Sequence, residues 1–303
     1  MNKNILITGG TGTLGKVISS HLSKQGNNVK VLTRGNSETH DNIEMITWNP
    51  DINFLSENSL EGVDIIIHLA GAGIADKKWT KDRKKEIINT RVKTAQLIHE
   101  HVANMDRKPE AFITASAIGY YGYDTGSILV KETSRFGDDF LATVVKEWEA
   151  AADTFTDLGL RVLKYRFGIV LSRKGGALEM MIKPVKIGVG AGLGRGDQYI
   201  SWVHENDVAL LMEHAITHSV DGVFNAVSPN PVTNKDFMKT IARTLKKPFF
   251  LPNVPAFVMK LALGEKASMV LGGNRVSSEK LQNEGFKFTY EELDDALQNL
   301  LKT

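Results

Sequence analysis

The chain has 303 residues, 42% of them hydrophobic and 24% charged, with a net charge of +2 and no cysteine. That composition excludes a disordered chain, a disulfide framework, cysteine nucleophiles and cysteine-bound zinc. Charges of both signs are interspersed, so no basic stripe marks a nucleic-acid partner.

In chain order, strand-like runs are NILIT (4–8), NVKVLTR (28–34), EMITW (44–48), VDIIIHLA (63–70), AFITAS (111–116), RVLKYRFGIVL (161–171) and GVFNAVS (222–228). Helical patterns at 14–24, 81–102 and 140–158 lie between them. Ile65, Ile66 and Ile67 are apolar on both faces of their strand, which requires helices on both sides of the sheet. The alternation predicts an α/β protein with a doubly wound parallel sheet. We expect a dinucleotide-binding domain over 1–171, to which the 222–228 strand returns. A smaller, mainly helical lobe is expected from 172–221 and 229–303. Residues 172–200 are rich in glycine and read as a mobile loop over the cleft, with Arg195 and Gln198 as contacts. The absence of a signal segment and of cysteine sets a cytoplasmic expectation. The longest apolar stretch, 255–271, is broken by Lys260, Glu265 and Lys266 and falls short of the about 20 residues of a span, so no membrane partner is expected.

The first strand runs into Thr8-Gly9-Gly10-Thr11-Gly12-Thr13-Leu14-Gly15 and then a helix. Gly9 suits a tight turn, Gly12 a close approach of backbone to a pyrophosphate, and Gly15 close packing of helix on strand. The backbone of Thr11, Thr13 and Leu14 opens the helix, whose free N–H groups and dipole favour phosphate. Glycines also simply turn chains, but a strand before and a helix after favour a dinucleotide. No Lys-Ser/Thr pair follows at the offset of a Walker loop. The next strand ends in Thr33-Arg34 with no acid at its tip; a guanidinium there suits a 2′-phosphate, so NADP(H) is expected over NAD(H).

These residues resemble the short-chain dehydrogenases/reductases in their extended form. TGGTGTLG is similar to that family's cofactor turn, HLAG (68–71) to its fourth-strand signature, SAIGYYG (116–122) to its serine segment, and WVHENDVA (202–209) to a late strand-to-helix stretch. NPVTNKDF and GGNRVSSEKLQNEGFKF resemble the atypical, epimerase-named subgroup. The resemblance implies a Rossmann fold, with Leu69, Ala70 and Gly71 against the adenine ribose. It also implies that helix 84–98 borders the cofactor groove, bringing Glu86 to the adenine side and Arg91 to a phosphate or ribose. Family members often dimerise through helices like 84–102 and 140–158, so a homodimer is one expectation.

The family's hydride chemistry uses Ser, Tyr and Lys, the last two as Tyr-x-x-x-Lys on one helix face. Ser116 and Lys146 match by position, but Ala142 stands where the tyrosine is expected. Tyr120 and Tyr121, just beyond Ser116, are alternative phenols, with aromatic packing as their structural use. Glu149 shares a face with Lys146 and is read as its ion-pair partner. The eight histidines show no ligand spacing, and no metal is assigned; Asn206-Asp207 read as a helix cap and first turn. The resulting expectation is an NADP(H)-dependent oxidoreductase or epimerase acting on a small polar carbonyl or hydroxyl compound. Its rivals are an NADPH-binding sensor or scaffold with a lapsed catalytic centre, and a nucleotide-sugar-binding module.

Overall fold

The computed structural model describes residues 2–302 apart from 36, 38, 41 and 42. The central sheet has nine strands among the described residues, seven of them parallel: β1 (Asn4–Thr8), β2 (Asn28–Thr33), β3 (Ile43–Asn49), β4 (Ile65–His68), β5 (Ala111–Ala117), β6 (Arg161–Phe167) and β7 (Gly222–Ala226); the two-residue strands Thr39–His40 and Phe54–Leu55 pair antiparallel with β3. The spatial order of the parallel strands is 7-6-5-4-1-2-3, the doubly wound order whose switch point lies between β1 and β4. Ile5 to Thr8 pair with Val29 to Leu32 on one side and with Ile65 to His68 on the other. The carboxyl ends of β1, β2 and β4 are therefore level, and the loops that follow them meet at one edge.

Each face of the sheet has its own core. Ile5 and Ile7 point with Ile65 and Ile67 into a layer closed by α1 (Thr13–Lys24) and α5 (Glu205–Thr217). Leu6 and Ile66 point the other way, with Phe112, toward α2 (Lys81–Ala103) and α3 (Phe140–Asp153). Strict alternation along strands buried on both sides produces this division. A further core unites Leu171, Leu178, Ile182, Trp202, Phe237, Ile241 and Leu297, and gives the C-terminal half a centre of its own.

Three expectations change. The 161–171 run is two strands, because the Cα of Gly168 lies so close to Ser201 that a Cβ would sit 2.3 Å from the Ser201 carbonyl oxygen. Residues 169–171 leave the sheet there and pair with Trp202–His204. The 172–200 segment contains a helix, α4 (Gly176–Lys186), with Leu178, Ile182 and Val185 buried on one face. Its flanking glycines and Pro184 read as breakers, but the helix runs through Pro184, which falls in its last turn. The cap of α5 is His204, whose Nδ1 accepts from the Asn206 N–H at 3.0 Å. Asp207 does lie in the first turn, as expected, and its side chain turns inward to accept from the Thr289 and Tyr290 N–H groups.

His68, at the end of β4, is fully buried. The Thr94 hydroxyl donates to the Thr90 carbonyl at 2.7 Å, so it accepts from His68 Nε2 at 2.9 Å and assigns the proton to that nitrogen. Burial, and then the charge of Arg91, hold the His68 pKa down at about 3, against 6.5 in the unfolded chain. Between those values the unfolded chain takes up a proton that the folded chain refuses. Stability is therefore full above pH 6.5 and falls as pH drops through the window, by up to about 1.4 kcal/mol per pH unit. Urea midpoints at neutral pH and near pH 5 should differ accordingly, with a shallower slope in His68→Asn; equal midpoints would show that His68 is not held neutral.

Candidate functional site

The glycine turn sits at the switch point. Gly9 adopts φ +68°, and a Cβ there would lie 2.8 Å from the Leu69 carbonyl carbon. A Cβ on Gly15 would meet the Gly9 carbonyl oxygen at 2.3 Å, so the first turn of α1 rests directly on the loop backbone. Gly12 faces open space: only the Gly9 oxygen lies near its virtual Cβ, at 3.3 Å. Gly12 is also the N-cap of α1 and provides no side-chain cap, and no acid occupies the first turn. Thr11 and Thr13 are exposed, and Leu14 is half-buried against the core. The N–H groups that open α1 thus end beside space that a phosphate could fill.

Thr8 joins the turn to β4, its hydroxyl accepting from the N–H groups of Leu69 and Ala70, each at 3.1 Å. Gly71 follows, pressed on Arg91 so closely that a Cβ would lie 2.9 Å from the guanidinium carbon. Arg91 is buried, donates to the carbonyls of Ala72 and Ile87 at 3.0 and 2.9 Å, and lies 4.8 Å from the Trp148 ring centre. Burial, and then the charge of Arg83, lower its pKa to about 10. Arg91 is thus a strut beneath the 69–72 loop. Glu86 is exposed and accepts from Arg83 at 2.8 Å, which holds its carboxyl below the ordinary range.

Thr33 closes β2, its hydroxyl accepting from the Gly35 N–H at 3.0 Å. Because Thr8 pairs with Leu32, Thr33 and Arg34 emerge alongside Gly9 and Gly10. Arg34 is exposed and makes no ion pair among the described residues. A recess of about 950 Å3 runs along the other flank of α1 toward α5, lined by Thr11, Gly12, Thr13, Lys16, Lys24 and Lys174 among others. It touches the turn but none of residues 69–71 or 116–121.

Ser116 is buried at the end of β5, and its hydroxyl donates to Glu149 Oε1 at 2.6 Å. Glu149 receives a two-pronged contact from Arg166, Nε to Oε1 at 2.7 Å and Nη2 to Oε2 at 2.8 Å. Arg166 Nη1 reaches the Tyr121 hydroxyl at 3.2 Å, and that hydroxyl donates to Asn225 Oδ1 at 2.6 Å. Burial opposes the charge of Arg166, but the hydrogen bonds and charge of Glu149 prevail and hold its pKa above the ordinary value. Tyr121 is pushed up by burial, with Arg166 pulling the other way. Tyr120 stands outside this buried chain, half-exposed, with the Arg166 guanidinium 3.3 Å from its ring centre.

Helix α3 turns Ala142, Val145, Trp148 and Glu149 inward. Lys146 is exposed, its ammonium 4.9 Å from the Phe136 ring centre. The expected Lys146–Glu149 pair does not form; Glu149 belongs to Ser116 and Arg166. The sequence did carry a signal for this network, because Arg166 is a charge in the apolar half of its strand and requires a buried partner. Gln198 is buried and donates to the carbonyls of Leu193 and Val270, so it ties down its own loop. Arg195 is exposed and pairs with Asp197 at 2.9 Å. Among the described residues no cluster of His, Asp or Glu is arranged to hold a metal.

A model of the NAD dependent epimerase/dehydratase family matches residues 5–140, and a domain of unknown function matches residues 254–300. The epimerase family protein YfhF of Bacillus subtilis is 35% identical over 300 residues, 98% of each chain. An epimerase family protein of Staphylococcus saprophyticus is 38% identical over 301 residues, 99% of each chain. Among solved structures, the human epimerase family protein SDR39U1, crystallised with NADPH, superimposes with a TM-score of 0.87 at 30% identity over 99% of both chains. On this near end-to-end similarity and the doubly wound sheet that carries it, the chain belongs to the epimerase family of the extended short-chain dehydrogenases/reductases.

Proposed function

We propose that the protein is an NADP(H)-dependent oxidoreductase or epimerase acting on a small polar carbonyl or hydroxyl compound. The observation that carries the cofactor assignment is the pairing of an uncapped α1 N-terminus with an exposed guanidinium, Arg34, at the adjoining strand tip. In this reading Gly9, Thr11, Gly12, Thr13, Leu14 and Gly15 hold the pyrophosphate, Thr33 and Arg34 the 2′-phosphate, and Leu69, Ala70 and Gly71 the ribose side. Arg91 acts by supporting the last three. The NADPH bound to the human relative supports the same choice. When bound, the nicotinamide supplies the hydride.

In this reading Tyr120, half-exposed beside Arg166, moves the proton, since Tyr121 is closed within the buried network. On the same reading Ser116, whose hydroxyl proton goes to Glu149, accepts from a substrate hydroxyl at the end of β5. An NADPH-binding sensor with a lapsed catalytic centre is the second reading. It is favoured by one observation, the buried Ala142 where the family's tyrosine is expected, beside an outward-facing Lys146.

Titration with NADPH and with NADH, followed by nicotinamide fluorescence, tests the assignment. The protein should prefer NADPH. Arg34→Ala should weaken NADPH about 10- to 100-fold, the worth of a charged hydrogen bond, and leave NADH unchanged. Equal affinity for both cofactors in the unaltered protein would overturn it. Oxidation of bound NADPH by a panel of polar carbonyl compounds, lost in Tyr120→Phe, separates the enzyme from the sensor.

A further inference from the structure

The turn that opens α1 has no cation of its own: every residue from Thr8 to Gly15 is uncharged. A dinucleotide carries a negative charge on each phosphate of its pyrophosphate, and a helix N-terminus offsets only about half of one charge. The fold brings two lysines to the turn. Lys16 lies at the end of the first turn of α1, and its N–H donates to the Gly12 carbonyl at 3.0 Å. Helical side chains lean toward the N-terminus of their helix, so the Lys16 ammonium is directed back toward Thr13.

Lys174 arrives from the C-terminal half of the chain. The Thr13 hydroxyl donates to the Lys174 carbonyl at 3.1 Å, and the Lys174 N–H donates to the Ser172 hydroxyl at 3.2 Å. The virtual Cβ of Gly175 lies 3.6 Å from Thr13 Oγ1, so this loop rests on the start of α1. Lys16 and Lys174 line the recess together with Thr11, Gly12 and Thr13. Both are exposed, and neither ammonium is paired with a carboxylate among the described residues. The carboxylate in the recess lining, Glu205, accepts from the Arg173 N–H at 3.2 Å.

This placement reverses the arrangement that stabilises a helix, in which acids occupy the first turn and cations the last. No acid lies in the first turn of α1, and its free N–H groups face two lysines instead. Those cations oppose the helix dipole until an anion stands between them and it. We propose that Lys16 and Lys174 hold the cofactor pyrophosphate, the second of them supplied by the C-terminal half to a turn built by the N-terminal half. The inference rests on the dinucleotide reading of the turn given above. The two lysines recognise what NADPH and NADH have in common, whereas Arg34 recognises what distinguishes them.

The test is titration of Lys16→Gln/Lys174→Gln with NADPH and with NADH, followed by nicotinamide fluorescence, and thermal melting without cofactor. Glutamine keeps the length and helix propensity of lysine and removes its charge. Both cofactors should bind more weakly by the same factor, about 10- to 100-fold. Lys24→Gln, in the same recess but about 12 Å further along α1, should leave both affinities unchanged. Without cofactor the double variant should melt at or above the temperature of the unaltered protein, because it has lost cations from a helix N-terminus. Unchanged affinity in the double variant overturns the proposal. A loss confined to NADPH also overturns it, since the lysines would then serve the 2′-phosphate. Lower melting of the cofactor-free double variant would make the lysines structural and overturns it as well. An unaltered protein that binds neither dinucleotide overturns the cofactor reading itself, and this proposal with it.

Discussion

Glu149→Ala is expected to cost about 3–5 kcal/mol of folding stability, the loss that follows when one member of a buried ion pair is removed. Arg166 would keep its charge, because a guanidinium does not give up its proton, with no other carboxylate bonded to it among the described residues, and Ser116 would lose the acceptor for its hydroxyl proton. Tyr121 and Asn225 would be disturbed in turn, because Arg166 is the link between them and Glu149. The penalty belongs to the unpaired charge more than to the pair. Glu149→Leu combined with Arg166→Met should therefore recover much of the loss, although each single change is damaging. Urea unfolding reads this directly: the midpoint falls in Glu149→Ala with little change in slope. A loss under about 1 kcal/mol would mean that water reaches the pair and that its worth is that of a surface bridge.

The glycine turn should separate folding from binding. Gly15→Ala is expected to destabilise the fold by about 1–3 kcal/mol, the cost of forcing an atom into a filled space. Its Cβ would fall 2.3 Å from the Gly9 oxygen and 2.4 Å from the Gly10 Cα, with only backbone there to give way. Gly12→Ala makes one tight contact, 3.3 Å to the Gly9 oxygen, and should cost much less stability than Gly15→Ala. If the turn holds a pyrophosphate, however, the new methyl enters the space where the phosphate approaches backbone. NADPH should then bind about tenfold more weakly or worse, equivalent to 1.4 kcal/mol. Unchanged NADPH affinity in Gly12→Ala would show that the phosphate is held elsewhere; unchanged stability in Gly15→Ala would mean that α1 can lift off the loop.

The legible parts of the molecule were those with local causes. Ile65 to Ile67 announced a strand covered on both faces, and the strand–glycine–helix order at 4–24 announced the turn, because periodicity and left-handed backbone are properties of neighbouring residues. The ends of elements were less legible. Gly168 breaks a run that reads as one strand only because Ser201, far along the chain, packs against it, and α4 forms from a segment whose glycines and proline read as loop because its apolar face is buried by Phe237 and Leu297.

The composition, the α/β alternation and the strand–glycine–helix turn were determined by the sequence itself. Tertiary structure decided the partners of the charged residues. On α3 the sequence placed Lys146 and Glu149 within reach of each other, yet Glu149 lies against Ser116 and Arg166 while Lys146 stands in solvent. A buried carboxylate must find a counter-charge, and here it sits 17 residues on, in the next strand, β6, supplied by the order in which the sheet is wound. The same holds for the exposed face of helix 256–263: its apolar residues are plain in the sequence, but only packing shows that the folded chain leaves them uncovered.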